Sequence, residues 1–73
     1  MVYDIIMFGK RAVPLDNRAK KEGSRQRLNE RVHELADDLE FRRRWKRVNS
    51  IELWSDAAIF RLNDGSKWYL NIG

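Results

Sequence analysis

SRQRLNERVHELADDLE, residues 24–40, decides how the rest of the chain must be arranged. Leu28, Val32, Leu35 and Leu39 recur at spacings of four, three and four. On a helix of about 3.6 residues per turn they stack into one stripe, which Ala36 widens. Ser24 is placed to cap the helix start, its hydroxyl accepting from an orphan amide of the first turn. Glu30, Glu34, Asp37, Asp38 and Glu40 fall outside the stripe and face water. Burying each large aliphatic side chain contributes about 1.5–3 kcal/mol, and an isolated helix of this length is marginal in water. The helix therefore needs a sheet to lie on.

The flanking sequence supplies one. Val2 to Phe8 is rich in strand formers, apolar on both faces except at Asp4, and ends at Gly9. After the helix, Val48 to Ser55, Ala57 to Leu62 and Lys67 to Ile72 each alternate apolar and polar residues. Ser55-Asp56 suits a tight turn, and Asn63-Asp64-Gly65-Ser66 is a strong hairpin signal because Asp-Gly tolerates positive φ. Trp54 falls opposite Ile51 and Leu53, facing away from the helix. The expected order is β-α-β-β-β, an α+β fold with one helix packed on a small, mainly antiparallel sheet. At 73 residues the chain is read as a single domain, 1–73. Residues 9–23, GKRAVPLDNRAKKEG, show no apolar period and hold the only proline, so they read as a long, mobile basic loop.

Charge is unevenly placed. The chain carries fifteen basic and eleven acidic residues, net +4. Five of the seven residues in FRRRWKR, residues 41–47, are positive. Phe41, Trp45 and Val48 do not continue the helix stripe, so the helix either ends or bends near residue 40, or it continues and points Trp45 outward. Arg42, Arg43, Arg44, Lys46 and Arg47 suit the negative end of a helix dipole. They also suit an acidic partner, because clustered positive charge attracts anions and arginine forks onto carboxylate and phosphate. Lys10 and Arg11 add to this charge from the preceding loop. Trp45 is the candidate aromatic anchor, since Trp and Arg are enriched at interface hot spots.

The chemistry of an enzyme is missing from the sequence. There is no cysteine and a single histidine, His33, so no metal site is expected. The four glycines, Gly9, Gly23, Gly65 and Gly73, are too scattered for a phosphate cradle. No serine sits in a nucleophile elbow. No apolar run reaches the roughly 18 residues of a membrane span. The expectation is a cytoplasmic, non-enzymatic monomer without cofactor. Two functional readings stand. In one, Lys10, Arg11, Arg42, Arg43, Arg44, Trp45, Lys46 and Arg47 dock the chain on a larger protein, with a sheet edge available to pair with an extended peptide. In the other, Trp54 and Tyr69 stack nucleic-acid bases, flanked by Arg61 and Lys67.

YDIIMFGKRAVPLDNRAKK, residues 3–21, together with the chain's size and arginine-rich character, resembles the small transcription regulators of lytic phages, such as one of Xanthomonas, that act on host RNA polymerase. The resemblance implies binding to the N-terminal region of the β′ subunit of bacterial RNA polymerase. It further implies inhibition of host initiation by disfavouring σ-factor engagement, and antitermination. It assigns no polymerase contact to any residue of this chain. It favours the protein partner over nucleic acid, with nucleic-acid contact left as a weak accompaniment.

Overall fold

A computed structural model describes residues 4–73. Val2 and Tyr3, assigned above to the first strand, lie outside the described residues. The chain forms β1 (Asp4–Phe8), β2 (Arg11–Asn17), α1 (Ser24–Glu34), a 3-10 turn (Leu35–Asp37), α2 (Leu39–Trp45), β3 (Val48–Leu53), β4 (Ala57–Leu62) and β5 (Lys67–Asn71). The five strands make one sheet in chain order. β2 and β3 run parallel, and every other neighbouring pair is antiparallel. The class is α+β, with the helices on one face of a mainly antiparallel sheet.

Seven of the fifteen residues of the expected loop at 9–23, Arg11–Asn17, form a strand. Phe8 pairs with Arg11 across the two-residue turn Gly9-Lys10, and Gly9 supplies the positive φ of 65° that a turn of this length requires. Val13 and Leu15 point into the core while Ala12, Pro14 and Asp16 face outward. Pro14 is accommodated because its partner is Ile5. The Ile5 N–H donates to the Asp4 carboxylate at 2.8 Å, and its carbonyl accepts from Arg25 at 2.8 Å. That pair needs no ladder bond, so the missing proline donor leaves β1–β2 intact. Pairing with β3 starts just beyond, at Leu15 and Ile51.

The helix breaks earlier than the stripe implies. Gly23, at φ 83°, occupies the cap position in place of Ser24. The Ser24 hydroxyl is buried and instead donates to the Ser55 carbonyl at 2.9 Å. Arg27 donates to the same carbonyl at 3.0 Å, tying the start of α1 to the β3–β4 turn. Leu28 and Val32 are fully buried, but the stripe fades at Leu35 and ends there, leaving Leu39 67% exposed. Asp38 restarts the helix: its carboxylate accepts from the N–H groups of Glu40 at 2.9 Å and Phe41 at 3.1 Å. An N-cap of this kind stabilises by about 1 kcal/mol. The restart rotates the helical face, so Phe41 and Trp45 turn inward.

The core between helices and sheet is aliphatic toward α1 and aromatic beneath α2. Phe41 stacks on Trp45 with centroids 5.8 Å apart. It also contacts Phe8 of β1 at 5.6 Å and Trp68 of β5 at 5.3 Å. Those two rings come from the opposite edge strands, so the sheet curls around α2.

Candidate partner interface

The candidate site differs from the expected one because Trp45 is buried. Trp45 is 3% exposed, packed against Phe8, Phe41 and Phe60, and cannot anchor a partner. The reason is the break at 35–38, which turns the face bearing Trp45 onto the sheet. Arg11 is also internal in its role. Its guanidinium donates to the carbonyls of Trp45, at the end of α2, and Val48, at the start of β3. What is left for a partner is Arg42, Arg43, Lys46 and Arg47, all exposed, with half-buried Arg44.

The fold gathers these residues at one pole. The carbonyl of Arg47 accepts from the Asn63 N–H at 2.8 Å, which brings the β4–β5 turn against the end of α2. Arg11 draws the β1–β2 turn, with exposed Lys10, to the same end. Arg43, Arg44, Arg47 and Glu40 line a groove of about 200 Å³. Arg44 is held in place: it pairs with Glu40 at 2.7 Å and lies 5.0 Å over the Trp68 ring. Among the described residues, Arg42, Arg43, Lys46 and Arg47 form no ion pair. Arg47 lies near Asp64, whose carboxyl is held below its usual range first by the Ser66 hydroxyl and N–H, and then by the Arg47 charge.

The open face of the sheet carries a second polar constellation. Glu52 sits on this face yet is only 9% exposed. Its carboxylate accepts from Arg61 at 2.8 Å and from the Trp54 indole at 2.7 Å. The Arg61 hydrogen bond above all holds its pKa below the ordinary value; burial opposes it, and Trp54 and the charge of Arg18 add to the lowering. Arg18 pairs with Asp16 at 2.9 Å, which raises its pKa, and lies 5.8 Å over Trp54. Asp16, Arg18, Ser50, Ile51, Glu52 and Arg61 border a cleft of about 270 Å³. Its arginines are already matched by carboxylates, so the cleft offers an incoming anion little net charge. Tyr69, 67% exposed, and Trp54, 41% exposed, face solvent on this side, as their strand positions predict.

Among the described residues no group of three or more His, Asp or Glu is arranged to hold a metal ion. No helix there is long and apolar enough to cross a membrane. No family model, curated protein or solved structure matches the chain.

Proposed function

We propose that this chain works by docking, without catalysis, on a larger protein, and that the partner is bacterial RNA polymerase, engaged at the N-terminal region of β′ in the host cytoplasm. Bound there it disfavours σ engagement, lowers initiation from host promoters and lets elongating polymerase pass terminators. The polymerase assignment rests on the resemblance of residues 3–21 and on the chain's size and character. The docking role is supported by one structural observation: Arg42 and Arg43 of α2, with Lys46 and Arg47 just after it, form no ion pair among the described residues. The Trp45 carbonyl at the end of α2 is served by Arg11, and the Arg44 carbonyl by the Arg47 N–H at 2.9 Å. Arg42, Arg43, Lys46 and Arg47 therefore stand in water with no acid fixed against them. Such a patch speeds encounter and orients an acidic partner. Bound at a surface that σ also needs, a small domain shifts the polymerase only by its differential affinity for the two states.

The test is affinity capture from a nuclease-treated bacterial lysate, followed by σ competition on purified core polymerase. Capture that survives nuclease, with less σ bound as the chain is added, is the expected result. Loss of every partner on nuclease digestion favours the second reading, in which Tyr69 and Trp54 stack bases. That reading draws on their exposure beside Lys67, but Arg18 and Arg61, the cations next to them, already face Asp16 and Glu52.

A further inference from the structure

The two edges of the sheet are finished differently. On β1 the outward main-chain groups of Ile5 are both occupied, its N–H by the Asp4 carboxylate and its carbonyl by Arg25. Arg25 is itself fixed to Asp4 at 2.8 Å. This side chain lies across the edge and blocks another strand from pairing there, a device that protects exposed edges.

β5 has no such guard. The Leu62 N–H donates to the Ser66 carbonyl, and the Ile72 N–H to the Asp56 carbonyl, both at 3.0 Å. Those bonds fix the phase of the β4–β5 ladder. Ser66, Trp68, Leu70 and Ile72 turn their main-chain groups toward β4, and Lys67, Tyr69 and Asn71 turn theirs outward. Among the described residues no side chain bonds to these outward groups. The arginine groove borders this edge, because Arg44 belongs to the groove and lies over Trp68 of β5. On the opposite side of β5, Lys67 and Tyr69 face solvent.

We propose that β5 and the arginine groove form one docking site, and that its occupant is an extended acidic segment of a partner protein, which adds to the sheet beside β5. Main-chain bonds to Lys67, Tyr69 and Asn71 hold the segment. Side chains alternate along it, so its carboxylates on one face reach Lys67 and those on the other reach Arg43 and Arg47, the groove arginines that form no ion pair among the described residues. Charge selects this occupant over a second copy of the chain, which would bring the same cationic flank against itself at a net charge of +4. The inference rests on the docking role proposed above and names the chemistry of the segment that docks.

The experiment titrates the isotope-labelled chain with a ten-residue peptide of repeating Glu-Glu-Val-Val, which places Glu on both faces of a strand, and with a counterpart carrying Lys for Glu. Slowed amide exchange at Lys67, Tyr69 and Asn71, with the acidic peptide only, is expected. Tyr69→Pro removes one outward N–H at a position where an edge strand tolerates proline, and weakens binding by about tenfold. Tyr69→Ala keeps the main chain and binds within about threefold of wild type. Should Tyr69→Pro fail to fold, a synthetic chain N-methylated at Tyr69 tests the same donor. Equal binding of both peptides, no binding at millimolar peptide, protection confined to α2, or a dimer that Tyr69→Pro abolishes would overturn the proposal. Polymerase capture separates the two ideas. Equal capture by wild type and Tyr69→Pro refutes the edge and keeps the polymerase reading. No capture by wild type refutes the polymerase, while the peptide titration still decides the edge.

Discussion

Replacing Trp45 with alanine separates a buried tryptophan from the exposed anchor that its charged neighbours suggest. The side chain is 3% exposed and makes ring contacts at 5.5 Å to Phe8, 5.8 Å to Phe41 and 6.1 Å to Phe60. Truncating a buried aromatic in this way costs about 3–5 kcal/mol, combining lost transfer energy with the cavity left behind. A chain of 73 residues has roughly 4–11 kcal/mol of total stability at about 0.05–0.15 kcal/mol per residue. The variant therefore loses a large share of its stability. With a urea m value of about 1 kcal/mol/M for so small a chain, the midpoint drops by roughly 3 M or more. Far-ultraviolet circular dichroism across a urea titration reads this directly. Trp45→Phe keeps a ring stacked on Phe41, and Trp45 Nε1 has no hydrogen-bond partner among the described residues. The phenylalanine variant thus loses far less than the alanine variant and stays measurable if alanine unfolds the chain. A Trp45→Ala stability within about 0.5 kcal/mol of wild type, the usual range for surface substitutions, would refute the inward placement of α2.

Three further outcomes follow from the same geometry. Arg11→Ala strands the carbonyls of Trp45 and Val48 and costs about 1–3 kcal/mol, whereas Lys10→Ala stays within about 0.5 kcal/mol, both by thermal or urea melting. Leu28→Asp unfolds the chain by placing an unpaired carboxylate in the core, while Leu39→Asp, at the exposed end of the stripe, leaves the circular dichroism spectrum unchanged. Glu52 has a folded pKa below its ordinary value of 4.5, so its contribution is fully present above pH 4.5 and is lost as pH falls through the folded pKa. Glu52→Gln removes that contribution at neutral pH and flattens the fall in melting temperature below pH 4.5, where an unchanged acid slope would count against the Arg61–Glu52–Trp54 arrangement.

The parts of the fold that were legible in the sequence depend on local periodicity. Val48 to Ile72 reads as three strands because alternation and the Asp64-Gly65 turn agree, and the structure follows that reading. Trp54 and Tyr69 fall on the open face for the same reason. β2 was missed because Pro14 suggests a loop. Its tolerance depends on register, which makes Ile5–Pro14 a pair without ladder bonds and starts the pairing with β3 only at Leu15, although the inward alternation of Val13 and Leu15 was present in the sequence. The break between the helices was signalled by Phe41 and Trp45 leaving the stripe. What was unreadable was its agent, Asp38, which resembles any other acid on a solvated helix face until its carboxylate is seen on the amides of Glu40 and Phe41. The candidate site divides in the same way. Arg42, Arg43, Lys46 and Arg47 are exposed as a charge run should be. Trp45 is drawn into the interior by packing, and half-buried Arg11 is held by carbonyls 34 and 37 residues distant in sequence, which no local pattern encodes.

The central claim is that Arg42, Arg43, Lys46 and Arg47, on and just after α2, recruit a partner and do not hold the fold. Purified core RNA polymerase, titrated into the labelled wild-type chain and into the Arg43→Glu, Arg47→Glu double variant, tests it most directly. The account predicts an unchanged circular dichroism spectrum and melting curve for the variant, with affinity for polymerase weakened by about tenfold or more. Equal affinity of the two folded proteins for polymerase, or unfolding of the double variant, would contradict it.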